Sequence, residues 1–404
     1  MHFAHWSIAQ TKNRETKPEG LGWKLFQNYL IALKKFKPDY FLYENNKSMS
    51  YAIRKQITKE FGFEPILISS ALLSAHNRQR LYWAGRRNED DTYSRVTVEQ
   101  PEDRSLILRD ILDDNPIACD ISGYEFVTGE TTESGNIKFL GGFTELGKSK
   151  WLEDGKSYSR NFSQGKRLHS VDGKSVTVTA QASGLAGHAG LYAVPYNSNP
   201  RSDIPVRVCN INGGRQGNRI YSSNAKSCAI KAQSGGLGGH GQGLYAIPAS
   251  ETDRFVYEVR DGKIRINDKK HPIRLSDGFY IMHKLTVREC MRLQTVPEDY
   301  TFPVSNSQAY KMLGNGWTCD VITHILSHCP GIIEEPFSVL SMYDGMSCGR
   351  IALNKLGANV IQYCATEIDQ YAVKTTLHNF PDTIQLGDAF QVRDPEWEIQ
   401  GVKP

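Results

Sequence analysis

The sequence predicts an α/β fold, a doubly wound and mostly parallel sheet joined to a smaller β-rich domain. Three observations predict it. Helix-period and strand-like segments alternate at both ends of the 404-residue chain. Between about 116 and 284 that alternation stops, and Gly, Ser and Asn become dense. Near the C-terminus a tight turn, Tyr343-Asp344-Gly345-Met346-Ser347-Cys348-Gly349, follows one apolar strand and opens a helix. That is how the first strand of a doubly wound sheet ends.

The elements follow in order. Residues 20–36 place apolar side chains at helical spacing, and Pro38 ends that helix. Tyr40-Phe41-Leu42-Tyr43 is a short buried strand, residues 48–61 a second helix, and 64–69 and 80–84 two further strands. These make a first segment, 1–115. The β-rich domain, 116–284, holds an internal repeat, 166–195 and 218–248. Arg167-Leu168-His169-Ser170 aligns with Arg219-Ile220-Tyr221-Ser222, and Lys174-Ser175 with Lys226-Ser227, at an offset of 52. Two copies are too few for a solenoid, so a duplicated β-unit is expected. Helices return over 285–328, where Thr286 and Glu289 form a capping box. Residues 329–336 are a linker. From 337 to 404, strands at 337–343, 359–366 and 383–387 alternate with helices at 348–356 and 368–378.

Composition narrows the function. No run of 18 apolar residues exists, so no membrane partner is expected and the protein should be cytoplasmic. The eight cysteines show no C-x-x-C and no His at zinc spacing, so reduced thiols and no metal site are expected. The net charge is only +4, but residues 155–250 carry +9 and the remainder −5. A basic insert in an acidic chain suggests a polyanion-facing domain. The paired basic positions Arg167, Lys174, Arg219 and Lys226 are its candidate contacts.

The 343–349 turn lacks the three glycines that a pyrophosphate requires. A nucleoside cofactor without phosphate fits it better. Glu367, 22 residues after Gly345, ends the second strand, where a ribose diol would be gripped. Asp388 ends the third, placed to accept from an adenine amino group. At the other end, Glu44 follows a buried strand. Arg78 and Arg80, at i and i+2 in a strand, share one face.

These segments resemble the cytosine-5 DNA methyltransferases. The Glu-Asn-Val segment of that family is matched by Glu44-Asn45-Asn46, and its Gln-x-Arg-x-Arg by Asn77-Arg78-Gln79-Arg80, with Gln replaced. Its Arg-Glu-x-x-Arg-Leu-Gln-x-x-Pro is matched in full by Arg288–Pro297, and its Gly-Asn by Gly314-Asn315. Tyr343-Asp344-Gly345 and Trp317 resemble the vertebrate de novo enzymes more than the common bacterial ones. The likeness covers roughly 1–100 and 280–392, in circularly permuted order, with the cofactor half placed last. It implies an S-adenosylmethionine-dependent methyltransferase sheet, with Tyr343, Asp344, Gly345, Gly349, Glu367, Asp388, Asn315 and Trp317 at S-adenosylmethionine. It also implies double-stranded DNA as partner and a target-recognition role for the β-rich domain. Glu44 would contact N3 and the amino group of a flipped cytosine, Arg80 its O2, and Arg78 a phosphate.

One part is missing. The family nucleophile is the Cys of a Pro-Cys pair, and none occurs here. His5-Trp6-Ser7 looks like the tail of that segment, which puts Ser7 at the DNA and Phe3 where the Cys belongs. Relative to the family circle, a strand and its Pro-Cys loop, about ten residues, are absent. Three readings follow: an inactive relative, a permuted or truncated form, and a split enzyme completed by a second chain; otherwise a monomer is expected. An amino-methyltransferase acting on adenine N6 or cytosine N4 is a further alternative. Asp394-Pro395-Glu396-Trp397 superficially resembles the loop such an enzyme needs.

Overall fold

The computed structural model describes Trp6, 14–113, 121, 124–129, 137–145, 161–178, 190–195, 256–266, 268–273 and 275–401. It adds the backbone of three strands between 207 and 246. The fold is mixed α/β. The first segment runs α1 (Gly20–Phe36), β1 (Tyr40–Asn46), α2 (Tyr51–Phe61), β2 (Ile66–Ser69), β3 (Gln79–Arg87) and β4 (Tyr93–Arg95). α1 occupies the predicted range. It stops where Lys37 turns left-handed (φ 41°), its N–H donating to Leu33 O, just before Pro38. α2 starts at Ser50, whose hydroxyl accepts from the Ile53 N–H, and stops at Gly62 (φ 84°). Glycine is strongly favoured at that angle because it has no Cβ to clash.

The β-rich region contributes β5 (Tyr124–Thr128), β6 (Phe139–Glu145), β7 (Arg167–Ser170), β8 (Leu191–Pro195), β9 (Arg207–Asn210), β10 (Arg219–Ser222) and β11 (Leu244–Ala246). β12 (Val256–Arg260), β13 (Lys263–Ile266), β14 (Lys269–Pro272) and β15 (Gly278–Lys284) follow. Eight of these strands form one sheet, in the order β14-β13-β12-β15-β8-β7-β6-β5. The two repeat copies pair alike. β7 lies antiparallel to β6 and parallel to β8, and β10 lies antiparallel to β9 and parallel to β11.

The chain then forms α3 (Val287–Leu293), α4 (Asn306–Asn315), α5 (Cys319–Leu326), β16 (Phe337–Met342), α6 (Cys348–Leu356), β17 (Val360–Thr366), α7 (Gln370–Asn379) and β18 (Ile384–Gly387). β16-β17-β18 is wholly parallel. The N-terminal sheet is not: β3 runs antiparallel between β1 and β2. The reason is length. A parallel return needs a crossover of a dozen or more residues, whereas only residues 70–78, a short 3-10 turn and loop, separate β2 from β3. β1 and β2, joined through α2, do run the same way.

The two faces of β1 set the core. Phe41 and Tyr43 pack with Trp6, Phe26, Phe61 and Trp83 under α1 and α2. Tyr40 and Leu42 face the other way, toward Ile322 and Ile325 of α5 and Leu353 of α6. This is the period-2 alternation of a strand covered on both sides. Among the described residues, no helix is long and apolar enough to cross a membrane.

A buried Glu–His hydrogen bond ties the β-rich region to the helices after it. Glu289, on the first turn of α3, meets His283 of β15 at 2.8 Å, and both side chains are wholly buried. Glu289 also accepts the N–H groups of Asp113 (3.0 Å) and Thr286 (2.7 Å). Burial pushes its pKa up, but the His283 contact and these donors outweigh that and hold it below the usual carboxylate value. Its stabilisation is therefore present above the ordinary carboxylate range and fades as pH falls through the lowered pKa. Glu289→Ala removes an acceptor shared by the imidazole and two backbone N–H groups and should cost about 3–5 kcal/mol, read as a drop in the denaturant midpoint at neutral pH. An unchanged midpoint would contradict this.

Candidate active site

Glu44 leaves the C-terminal end of β1, and β3 brings Arg80 opposite Asn46 in the antiparallel register. The Arg80 Nε lies 2.9 Å from Glu44 Oε1. From the other side the Trp317 indole N–H donates to Glu44 Oε2 at 3.1 Å. Both side chains of the ion pair are less than one-sixth exposed. The carboxylate is thus fixed by two donors and held at a cavity wall.

Arg78 goes elsewhere. Its guanidinium donates to Gly314 O (3.2 Å) and Gly316 O (2.9 Å). It is buried, and burial lowers its pKa to about 9. It straps the turn that carries Asn315. Gln294 works with it, donating to Leu313 O at 2.6 Å and accepting from the Thr318 hydroxyl at 2.8 Å. Gln294 stands inside the Arg288–Pro297 motif, but the sequence assigns it no task.

The turn after β16 carries the second group. Tyr343, Gly345 and Ser347 all take positive φ, at 62°, 61° and 59°. Asp344 holds this shape from inside, accepting from Ser341 (2.6 Å), Tyr363 (2.8 Å) and the Ser347 hydroxyl. Burial pushes its pKa up. A Cβ at Gly345 would meet nothing within 4 Å, so this glycine serves its φ. A Cβ at Gly349 would sit 3.1 Å from the Tyr363 hydroxyl, so that glycine serves close packing. The Tyr343 hydroxyl donates to Leu25 O at 3.0 Å, fastening the turn to α1. Glu367 ends β17 and accepts three backbone N–H groups, from Gly345 (2.9 Å), Ile368 (2.7 Å) and Asp369 (2.8 Å).

One cavity of about 1960 Å³ joins the two groups, lined by Glu44, Arg80, Asn315, Trp317, Gly345 and Glu367 among others. Asp388 does not line it. Its carboxylate caps the following 3-10 turn, accepting from the Phe390 N–H at 3.0 Å. The Asp394–Trp397 loop is pinned to α1 by Lys35, which donates to Pro395 O at 3.0 Å, and by a Phe36–Trp397 edge contact at 5.9 Å. It does not line the cavity.

Two expected DNA contacts are used internally. The Lys174 ammonium is buried and donates to Ala71 O (2.8 Å), Ser74 O (3.2 Å) and Leu106 O. The half-buried Arg167 donates through Nε to Phe162 O at 2.9 Å. Phe3, Ser7, Lys226 and the Arg219 side chain lie outside the described residues. Instead Gln164 and Thr177 carry the β-rich region to the cavity. Thr177 donates to Asn77 O (2.7 Å) and Gln164 to Thr177 O (2.7 Å). Being uncharged, they left no signal in the charge count.

The five described cysteines are all buried and in no disulfide. Burial pushes the Cys329 thiol to about 11. A hydrogen bond with Cys348, and then burial, push Cys319 well up. Among the described residues no group of three His, Cys, Asp or Glu is placed to hold a metal ion.

Comparison with known proteins finds one family and several relatives. The model of the C-5 cytosine-specific DNA methylase family matches residues 4–330. The orphan methyltransferase M.Rho11sI of Bacillus phage rho11s is 25% identical over 402 residues, covering 74% of this chain and 78% of its own. The DNA (cytosine-5)-methyltransferase DRM2 of Oryza sativa subsp. japonica is 26% identical over 98 residues, 24% of this chain and 16% of that one. Among solved structures, the Entamoeba histolytica methyltransferase EhMeth covers 74% of this chain and 67% of its own, at 11% identity and a TM-score of 0.35. The S. pombe Dnmt2 methyltransferase covers 73% and 69%, at 16% identity and a TM-score of 0.33.

Proposed function

Because the chain belongs to the C-5 cytosine-specific DNA methylase family, we propose that it is the body of a circularly permuted DNA (cytosine-5)-methyltransferase. Its substrate is a cytosine flipped from duplex DNA, and its cofactor S-adenosylmethionine. The observation that carries this is the single cavity with Glu44 and Arg80 at one side and the Gly345–Glu367 turn at the other. The permuted order is supported by the family match ending at 330, with the turn-bearing strand β16 following it in sequence yet lining the same cavity.

The residues fit a nucleoside cofactor. The open space at Gly345 admits a ligand against the backbone, and the Glu367 carboxylate stands beside it. When bound, S-adenosylmethionine supplies a methyl group on a positively charged sulfur. Glu44 holds N3 and the exocyclic amino group of the base. Its two donors keep it oriented, so little reorganisation is needed as N3 becomes protonated. Arg80 balances its charge and reaches the base O2. Cytosine C5 is a poor nucleophile until a thiolate adds at C6. None of the five described cysteines is offered for that step, so the thiolate comes from outside these residues.

Binding tests this reading without turnover. Calorimetry should show S-adenosylmethionine bound by the chain, and Glu367→Ala should weaken it by roughly 1–3 kcal/mol through a lost charge-assisted hydrogen bond. Equal affinity in the variant would remove Glu367 from the site. Duplex DNA should also bind, with affinity falling steeply as salt rises. A salt-independent affinity would contradict a phosphate-reading surface.

A further inference from the structure

The loop between β2 and β3 is gripped from the β-rich region. The Ser175 N–H donates to Ala75 O at 2.7 Å and the Asn77 N–H to Ser175 O at 3.1 Å, a parallel bridge that brackets His76. The Lys174 ammonium, on the carbonyls of Ala71 and Ser74, and the Thr177 hydroxyl, on Asn77 O, fasten the same loop. Where His76 stands is therefore set by residues 174–177.

The His76 ring is wholly buried, and its Nε2 lies 3.1 Å from the Thr318 hydroxyl. The protons along this contact follow by elimination. Leu313 O can only accept, so the Gln294 amide turns its nitrogen there and its Oε1 to Thr318. An amide oxygen also only accepts, so the single hydroxyl proton of Thr318 goes to it. Thr318 must then accept from His76, which fixes the Nε2–H tautomer. Nδ1 is left bare and buried, with no partner among the described residues. Burial, with Arg78, Arg80 and Lys174 near, holds the imidazole pKa well below its usual value, so the ring stays neutral.

Thr318 gives up its ordinary task to take part. It is the N-cap of α5, where a threonine hydroxyl normally accepts a helix N–H, and it makes no such bond. Instead Gln294 O accepts the Cys319 N–H at 2.9 Å, and the Thr295 hydroxyl accepts the Asp320 N–H at 2.8 Å. The Thr318 hydroxyl thus has two arrangements, one toward His76 and Gln294, the other back onto its own helix. The residue before it is Trp317, whose indole N–H bonds Glu44 at 3.1 Å.

We propose that His76 is a positioning residue, which carries the seating of the β-rich region through Thr318 and Trp317 to the Glu44 carboxylate. A rigid ring spans the gap at little cost in side-chain entropy. Thr318 is the two-state element that such transmission needs. That Glu44 then holds a base rests on the methyltransferase reading; the transmission from Ser175 to Trp317 does not.

The test uses the full chain labelled with 5-fluorotryptophan, the Trp317 fluorine line being assigned by Trp317→Phe. Lys174→Met and Thr177→Val each remove bonds from the grip on the loop. Each should move the Trp317 line by more than its own width. In His76→Phe, which keeps a ring but has no N–H, neither should move it further. In His76→Gln, whose amide N–H can replace Nε2–H, both should move it again. A histidine that merely packs gives the opposite ranking, with phenylalanine the better substitute. A line that neither change moves in the parent, or that moves equally in His76→Phe, overturns the positioning role. Nitrogen-15 histidine spectra of the parent need no variant: a protonated Nε2 and a bare Nδ1 are expected, and the reverse tautomer overturns the role. Duplex-DNA binding by the same parent reads the other proposal separately. If DNA does not bind yet the grip variants move the line, the positioning role stands and the methyltransferase reading falls. If DNA binds and the line ignores the grip variants, His76 only packs and the methyltransferase reading stands.

Discussion

A polypeptide of residues 1–404 is expected to leave cytosine C5 unmethylated, whereas the same residues joined from 404 to 1 through an apolar strand ending in Gly-Gly-Ser-Pro-Cys are expected to methylate it. The difference should be on the order of 10⁶-fold or more, the low end of enzymatic accelerations. The cause is covalent. Without addition at C6 the ring stays aromatic, and no placement of Glu44 and Arg80 replaces that step. Phe3→Cys alone should not suffice, because the strand that would position the thiol is also needed. Labelled methyl groups from S-adenosylmethionine, followed into 5-methylcytosine in digested duplex DNA, give the answer. Product from the unjoined chain, purified free of other methyltransferases, would mean another nucleophile or another acceptor atom.

In the joined enzyme, Glu44→Gln should lower single-turnover methyl transfer by about 10²–10⁴-fold, the usual worth of a positioned proton-transfer group. The substituted amide can accept one of the two present donors, but its NH₂ cannot accept the other. It also leaves Arg80 without its counter-charge. Glu64→Gln is the matched control, since Glu64 pairs with Arg54 at the exposed surface, 3.1 Å away. A Glu44→Gln rate within a fewfold of the parent would remove Glu44 from the chemistry.

Local signals in the chain were legible. The spacing in 20–36 and Pro38 define α1, and the 343–349 turn announces itself because Gly345 needs a positive φ. The Glu44–Arg80 pair follows from motif likeness, but its geometry depends on β3 lying antiparallel to β1. The short 70–78 link implies that reversal, against the general α/β rule. What alternation could not show is burial. Alternation predicts one face for Arg78 and Arg80, yet Arg78 stands just before β3 and turns to two carbonyls 236 and 238 residues away. Lys174 misleads in the same way. A charge count treats every lysine as surface, whereas this ammonium binds carbonyls at 71, 74 and 106. Asp388 shows the limit of strand-end acids, since its nearest need is its own turn.

Trp317 has a consequence for thermodynamics. Its indole touches the carboxylate on the base side through Nε1 and packs at Gly349 on the cofactor side. On the proposed function, one ring would stand between both ligands. A tilt that one ligand favours would then be felt at the other's site, and the coupling of their binding free energies would be reciprocal. Whatever factor S-adenosylmethionine applied to the affinity for an extruded cytosine, the cytosine would return to S-adenosylmethionine.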